Sequence, residues 1–226
     1  MKHIVITGTS RGIGFEMLKQ FADLGHQVYA LSRNASTVTQ LNLDSVYPIA
    51  CDLQDETSIA TAVEFIHSKT SKVDILINNA GLFLKQDFAE TNIADVAEVY
   101  KTNVFGVFSL THQLLNLFKN EAHVVTISSM GGVQGSVKFP GLAAYSSSKA
   151  AVITLTELLA EEYKDTDLAF NVLALGAVQT EMLENAFPGV EAPVSAEEMA
   201  KYIVEFALTG HQFYNGKLLQ VSNSTP

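Results

Sequence analysis

"IVITGTSRGIGFEM", residues 4–17, passes from an apolar strand through a glycine-rich turn into the start of a helix. Ile4-Val5-Ile6 has the uninterrupted, β-branched character of a strand covered on both faces. Gly8, Gly12 and Gly14 then allow tight backbone geometry and the close approach of another group. The N–H groups that open the following helix have no intrahelical partners and suit a pyrophosphate. The glycine order is T-G-x-x-x-G-x-G rather than G-x-G-x-x-G. With a strand before it and a helix after it, this turn is expected to bind a dinucleotide through Gly8, Ser10, Arg11, Gly12, Ile13 and Gly14.

The same alternation continues outward from that turn. Strand patterns are expected at His3–Thr7, Gln27–Leu31, Val46–Ala50, Val73–Asn78, His123–Ser128, Leu168–Leu175 and Lys217–Val221. Helical patterns are expected near Gly12–Leu24, Asp55–Lys69, Ile93–Phe118, Ala143–Tyr163 and Ala196–Leu208. Strands alternating with helices predict an α/β architecture: a Rossmann-like, doubly wound, seven-stranded parallel sheet with helices on both faces. No linker, charge block or repeat divides the chain, so a single domain over 1–226 is expected. Ligands of such a sheet lie at the carboxyl ends of its strands.

Composition removes several function classes. The chain carries 47% hydrophobic and 17% charged residues, which is globular rather than disordered. Its formal net charge of −10 disfavours nonspecific binding to nucleic acid or to an anionic membrane. "MKHIVITGTS" has too short an apolar run for a signal peptide, and no run is long enough to span a membrane. The single cysteine, Cys51, is compatible with a reducing compartment, and a cytoplasmic location is expected. The six histidines show no ligand spacing, so no metal site is expected.

The second strand decides the cofactor. An acid at its end would bind the ribose 2′-OH of NAD(H), but the terminus reads Ser32-Arg33. Arg33 and Arg11 are two guanidiniums that can flank a 2′-phosphate with charge-assisted hydrogen bonds. NADP(H) is therefore expected ahead of NAD(H), the alternative being that both arginines point into solvent. Asp52 and Leu53, just past the third strand, are placed to meet the adenine. Asn78-Asn79-Ala80-Gly81 ends the fourth strand in small and amide residues that let backbone approach a ribose. Capping and turn roles are the structural alternative for each.

"AAYSSSKAAV", residues 143–152, sets Tyr145 and Lys149 four apart at the head of a helix, on one face. An ammonium there is expected to lower the phenol pKa from its ordinary value of about 10 and ready Tyr145 as a proton donor. Together these segments resemble the short-chain dehydrogenase/reductase family over nearly the whole chain. The markers occur in order: Thr7-Gly8-x-x-x-Gly12-Ile13-Gly14, Asp52, Asn78-Asn79-Ala80-Gly81, Asn103, Ser128-Ser129 and Tyr145-x-x-x-Lys149.

The resemblance implies an oxidoreductase that interconverts an aldehyde or ketone and an alcohol. In it Tyr145 is the general acid/base, and Lys149 supports Tyr145 and the nicotinamide ribose. A serine hydroxyl polarises the carbonyl, and Asn103 holds a water leading to Lys149. Ser129 is expected to be that serine because it precedes the glycine-containing turn; Ser128 is the competitor. By position, the Val178 backbone and the Thr180 hydroxyl are implied to contact the carboxamide. The resemblance departs at Leu175-Gly176, where the family usually has Pro-Gly, and in the C-terminal "LLQVSNSTP".

Phe83, Leu84, Val133, Phe139, Leu183 and Phe187 are candidate pocket walls with no cation among them, which suggests a small neutral carbonyl or alcohol substrate. The two long helical segments are apolar around more than one core-facing stripe, and by resemblance they imply a homodimer, with a homotetramer through the last strand left open. A nonenzymatic NADP-binding regulator is the rival reading.

Overall fold

The computed structural model describes residues 1–222, with the side chains of residues 119 and 120 outside the description. Residues 223–226, the end of the departing tail, also lie outside it. The strands are β1 His3–Thr7, β2 Gln27–Ser32, β3 Val46–Ala50, β4 Val73–Asn78, β5 Phe118–Ser129, β6 Ala169–Leu175 and β7 Leu218–Val221. They form one parallel seven-stranded sheet, as expected from the sequence, and its order is β3-β2-β1-β4-β5-β6-β7. The helices are α1 Gly12–Asp23, α2 Ser36–Thr39, α3 Glu56–Lys69, α4 Ile93–Tyr100, α5 Gly106–Leu114, α6 Ala143–Glu162, α7 Glu181–Ala186 and α8 Ala196–Thr209.

Strand alternation sends side chains into two core layers. Ile4 and Ile6 enter one with Met17, Leu18 and Phe21 of α1 and Ile203 and Ala207 of α8. Val5 enters the other with Ile59 and Ile66 of α3 and Leu110 and Leu114 of α5. Full burial of side chains such as Phe21 and Ile66 contributes roughly 1.5–3 kcal/mol each relative to exposure. Because β1 lies between β2 and β4, the winding reverses there, and a crevice opens at the carboxyl ends of β1 and β4.

A polar cluster is buried at the far end of the sheet. His123 Nδ1 lies 3.0 Å from the Ala207 carbonyl oxygen, while Asn171 Nδ2 lies 3.0 Å from His123 Nε2 and donates to Tyr214 O at 2.8 Å. This arrangement uses both ring nitrogens of a neutral imidazole, with its proton on Nδ1. Burial pushes the His123 pKa down to about 4.

Three stretches differ from the pattern. The helix expected over 93–118 is divided: a π turn, Lys101–Phe105, separates α4 from α5, and a 3-10 turn, Leu115–Leu117, precedes β5. β5 begins at Phe118, where Phe118 pairs with Val73 before a register shift leads into the regular ladder at His123. Helices α2 and α7, of four and six residues, are too short to give a periodic signal.

Candidate active site

The glycine turn is built against two neighbouring strands. Gly8 N donates to Leu31 O at 2.8 Å, and the Thr9 hydroxyl donates to the same carbonyl at 3.2 Å. Asn79 Nδ2 donates to Thr7 O at 2.9 Å, while the Thr7 hydroxyl accepts from the N–H groups of Asn79 and Ala80, both at 3.0 Å. Gly8 has φ +74°, and a Cβ there would stand 2.8 Å from Ala80 Cα; one on Gly14 would stand 2.2 Å from Gly8 O. Only glycine fits either position.

Helices α3, α4, α7 and α8 are capped by Asp55, Asn92, Thr180 and Ser195. Helix α1 has no side-chain cap and no acid in its first turn. Its opening N–H groups meet a glycine turn, the donor set that a pyrophosphate requires. Ser10 and Ile13 are half-buried beside the turn.

Of the two arginines, Arg33 is exposed and has no side-chain partner among the described residues. Arg11 does not stand free beside it: its Nη1 lies 2.7 Å from Glu181 Oε1 on α7. Asp52 Oδ1 accepts from Gln54 N at 3.0 Å in a local turn. Leu53 is buried against Gly106, where a Cβ would stand 2.6 Å from that of Leu53. Cys51 is buried, which pushes its thiol pKa up to about 11.

Across the crevice, Tyr145 and Lys149 occupy the first two turns of α6, and Ser129 ends β5. The Ser129 hydroxyl stands close enough to the Tyr145 phenol to lower its pKa and accepts from Gly131 N at 3.2 Å. Ser128, one residue earlier and therefore on the other face of the strand, is buried and donates to Lys149 O at 2.8 Å. Lys149 Nζ donates to Ile127 O at 2.8 Å and lies 5.9 Å from the Tyr145 ring centroid. A Cβ on Gly81 would stand 3.3 Å from that ammonium nitrogen, so glycine leaves room beside Lys149.

One expectation is corrected here. Tyr145 is not lowered by Lys149: burial raises its pKa, opposed by the Ser129 hydroxyl. The ammonium is turned to the Ile127 carbonyl, and burial lowers its own pKa to about 8. Asn103 is buried on the π turn. Its Oδ1 accepts from Leu82 N at 2.7 Å, and its Nδ2 donates to Leu82 O at 3.0 Å and Ser148 Oγ at 2.9 Å. The amide therefore fixes the Leu82 backbone, next to Gly81 and Lys149.

The expected pocket walls sort into two groups. Phe83 lies tilted 4.8 Å from Tyr145 and edge-on 6.1 Å from Phe187, and Phe139 lies 6.4 Å from Phe187, centroid to centroid. Leu84 and Leu183 are half-buried, whereas Val133 is buried with Ile153 and Val172 in the core. The sequence reading missed a cation at this wall. Lys85 Nζ stands 4.3 Å from the Phe187 centroid and donates to Ala186 O at 3.3 Å. A lysine two residues past Phe83 gave no signal, because only folding brings α7 to it.

Val178 is buried, and the Thr180 hydroxyl donates to Val178 O and accepts from Leu183 N, both at 3.3 Å. A Cβ on Gly12 would stand 3.7 Å from Thr180 Cγ2, so this segment reaches the glycine turn. Where the family's proline is missing, Gly176 N donates to Val221 O at 3.0 Å, anchoring the loop to β7.

A doubly wound sheet with an uncapped glycine turn facing a Ser–Tyr–Lys cluster defines a nucleotide-dependent oxidoreductase. The family model for short chain dehydrogenase matches residues 2–191, and the chain belongs to that family. It is similar to the NADP-dependent 3-hydroxy acid dehydrogenase of Schizosaccharomyces pombe, 31% identical over 92% of this chain and 87% of that one. It is also 34% identical to dehydrogenase/reductase SDR family member 7B of Xenopus laevis, over 82% of this chain and 61% of that protein.

Among solved structures, a 3-ketoacyl-(acyl-carrier-protein) reductase from Brucella melitensis complexed with NADH superposes with TM-score 0.87 at 26% identity, over 97% of this chain and 96% of that one. The RhlG/NADP active-site complex of Pseudomonas aeruginosa gives TM-score 0.87 at 26% identity, over 99% and 96%. The chain is thus an NAD(P)-dependent dehydrogenase/reductase acting between C=O and CH–OH groups. No helix among the described residues is long and apolar enough to cross a membrane.

Proposed function

We propose that the chain is a single-domain, cytoplasmic, NADP(H)-dependent carbonyl reductase, or the alcohol dehydrogenase of the reverse direction, working as a homodimer. The observation that carries this reading is the convergence of Ser129 at the end of β5 with Tyr145 and the buried Lys149 at the start of α6, across the crevice from the glycine turn.

The cofactor, when bound, supplies the hydride. Gly8, Ser10, Arg11, Gly12, Ile13 and Gly14 would hold its pyrophosphate and adenosine side, with Arg11 and Arg33 on the 2′-phosphate. Asp52 and Leu53 would border the adenine; Asn79, Ala80 and Gly81 the ribose; and Val178 and Thr180 the carboxamide. Burial keeps the proton on Tyr145 Oη near neutral pH, which is the form that donates to the substrate oxygen. The Ser129 hydroxyl aims at the same oxygen and stabilises charge developing there. Lys149 returns a proton to Tyr145, and Asn103 positions the loop beside it. Phe83, Phe139 and Phe187 receive the apolar body of an aldehyde or ketone, and the relatives' names add 3-oxo acids and their thioesters to the compounds to try.

The test is NADPH oxidation across a panel of aldehydes, ketones, quinones and 3-oxo thioesters, with Tyr145→Phe as the control. Turnover is expected to fall roughly 10²- to 10⁴-fold in the variant while NADPH affinity stays within a few-fold. Equal turnover in Tyr145→Phe would overturn the acid/base assignment. Tight NADPH binding without turnover on any member would favour the regulator.

A further inference from the structure

Helix α7 is held at each end by a cation from an opposite side of the crevice. At its start, Glu181 Oε1 lies 2.7 Å from Arg11 Nη1, which belongs to the glycine turn 170 residues earlier. At its other end, Lys85 from the loop after β4 donates to Ala186 O and covers the Phe187 ring. Between these anchors, Leu183 N is bound by the capping Thr180, whose methyl neighbours Gly12. The glycine turn itself is fixed to the end of β2 through Leu31 O, two residues before Arg33.

We propose that Glu181 competes with the cofactor 2′-phosphate for Arg11 and thereby sets the NADP(H)-to-NAD(H) ratio of this enzyme. This rests on the assignment of Arg11 to the 2′-phosphate. One guanidinium cannot serve both anions without drawing a carboxylate against a phosphate, and like charges at that distance repel. The Arg11–Glu181 pair is exposed on both sides, 64% and 56%, so a doubly charged phosphate displaces the carboxylate. A ribose bearing only a 2′-hydroxyl leaves the pair intact. NADP(H) therefore frees the start of α7 while Lys85 retains its end, and NAD(H) does not. Glu181 is a specificity-determining residue that acts through Arg11 and touches neither hydride donor nor substrate.

The experiment measures dissociation constants for NADPH and NADH, by nicotinamide fluorescence, and for adenosine 2′,5′-bisphosphate, by calorimetry. The proteins are the unmodified chain, Glu181→Gln, Arg11→Gln and the double variant. Glu181→Gln is expected to tighten NADPH and the bisphosphate about two- to fivefold, the span of an exposed ion pair, and to change NADH less than twofold. In the Arg11→Gln background the same substitution is expected to have no effect. If Arg11→Gln weakens NADPH selectively but Glu181→Gln leaves it unchanged, or tightens NADH equally, the competition is overturned and the cofactor assignment stands. If Arg11→Gln leaves the NADPH-to-NADH ratio unchanged, the cofactor assignment falls and the competition with it.

Discussion

Ser128 and Ser129 are neighbours in sequence with opposite surroundings. Ser128 ties β5 to α6 through the Lys149 carbonyl, out of reach of the crevice. Ser129 meets the Tyr145 hydroxyl. Ser128→Ala is accordingly expected to cost about 1–2 kcal/mol of stability, read as a lower midpoint in denaturant, with turnover of the folded protein little changed. Ser129→Ala should do the reverse: kcat down about 10²-fold or more, with midpoint and NADPH affinity kept. The sequence favoured Ser129 from the glycine-containing turn after it, and strand alternation separates the two once the ladder is known. The Tyr145–Lys149 pair was legible from its i, i+4 spacing. The electrostatics were not, because that spacing does not reveal that the Ile127 carbonyl takes the ammonium.

At the scale of elements, His123 joins three of them: it stands on β5, touches the Ala207 carbonyl on α8 and is held by Asn171 of β6. The groups facing it are the His211 ring at 5.4 Å, which like Lys2 disfavours its charge, and the Phe206 ring at 5.4 Å. Its folded pKa of about 4 lies below the unfolded value near 6.5, so the unfolded chain binds the proton first. Stability is therefore expected to be fully present above pH ~6.5 and to fall by about 3 kcal/mol as pH drops to ~4. Urea denaturation of the unmodified chain and of His123→Asn at pH 7, 5 and 4 checks this; the variant should lack that part of the slope. Most element types were legible, since buried parallel strands and amphipathic helices carry opposite periodicities. The π turn was not, because its cause is tertiary: Asn103 is pulled onto the Leu82 backbone and Gly106 is pressed onto Leu53.

For the whole molecule, the segments expected to pair two copies carry exposed apolar side chains of their own. Ile93 is 82% exposed, Phe105 60%, Phe108 55% and Leu158 61%, along α4, the π turn, α5 and α6. Burying such a surface between copies is the basis of the proposed homodimer. Phe108→Glu combined with Leu158→Glu is expected to halve the mass seen by light scattering at micromolar concentration; a monomer before substitution would overturn it. The parallel sheet was legible because parallel neighbours need a crossover, which the alternation of strand and helix patterns supplies. The placement of α7 was not, since its ends are held by Arg11 and Lys85, far away in the chain. That same topology has a kinetic side. The amide of Asn79 reaches the Thr7 carbonyl across 72 residues, and no strand pair is closed by a hairpin. Loop closure must precede every rung of the ladder, so the chain has the high contact order of slow folders. The cofactor crevice between β1 and β4 is born only when one of these long-range pairings forms, and nucleotide binding then reports folding of the sheet rather than of any local segment.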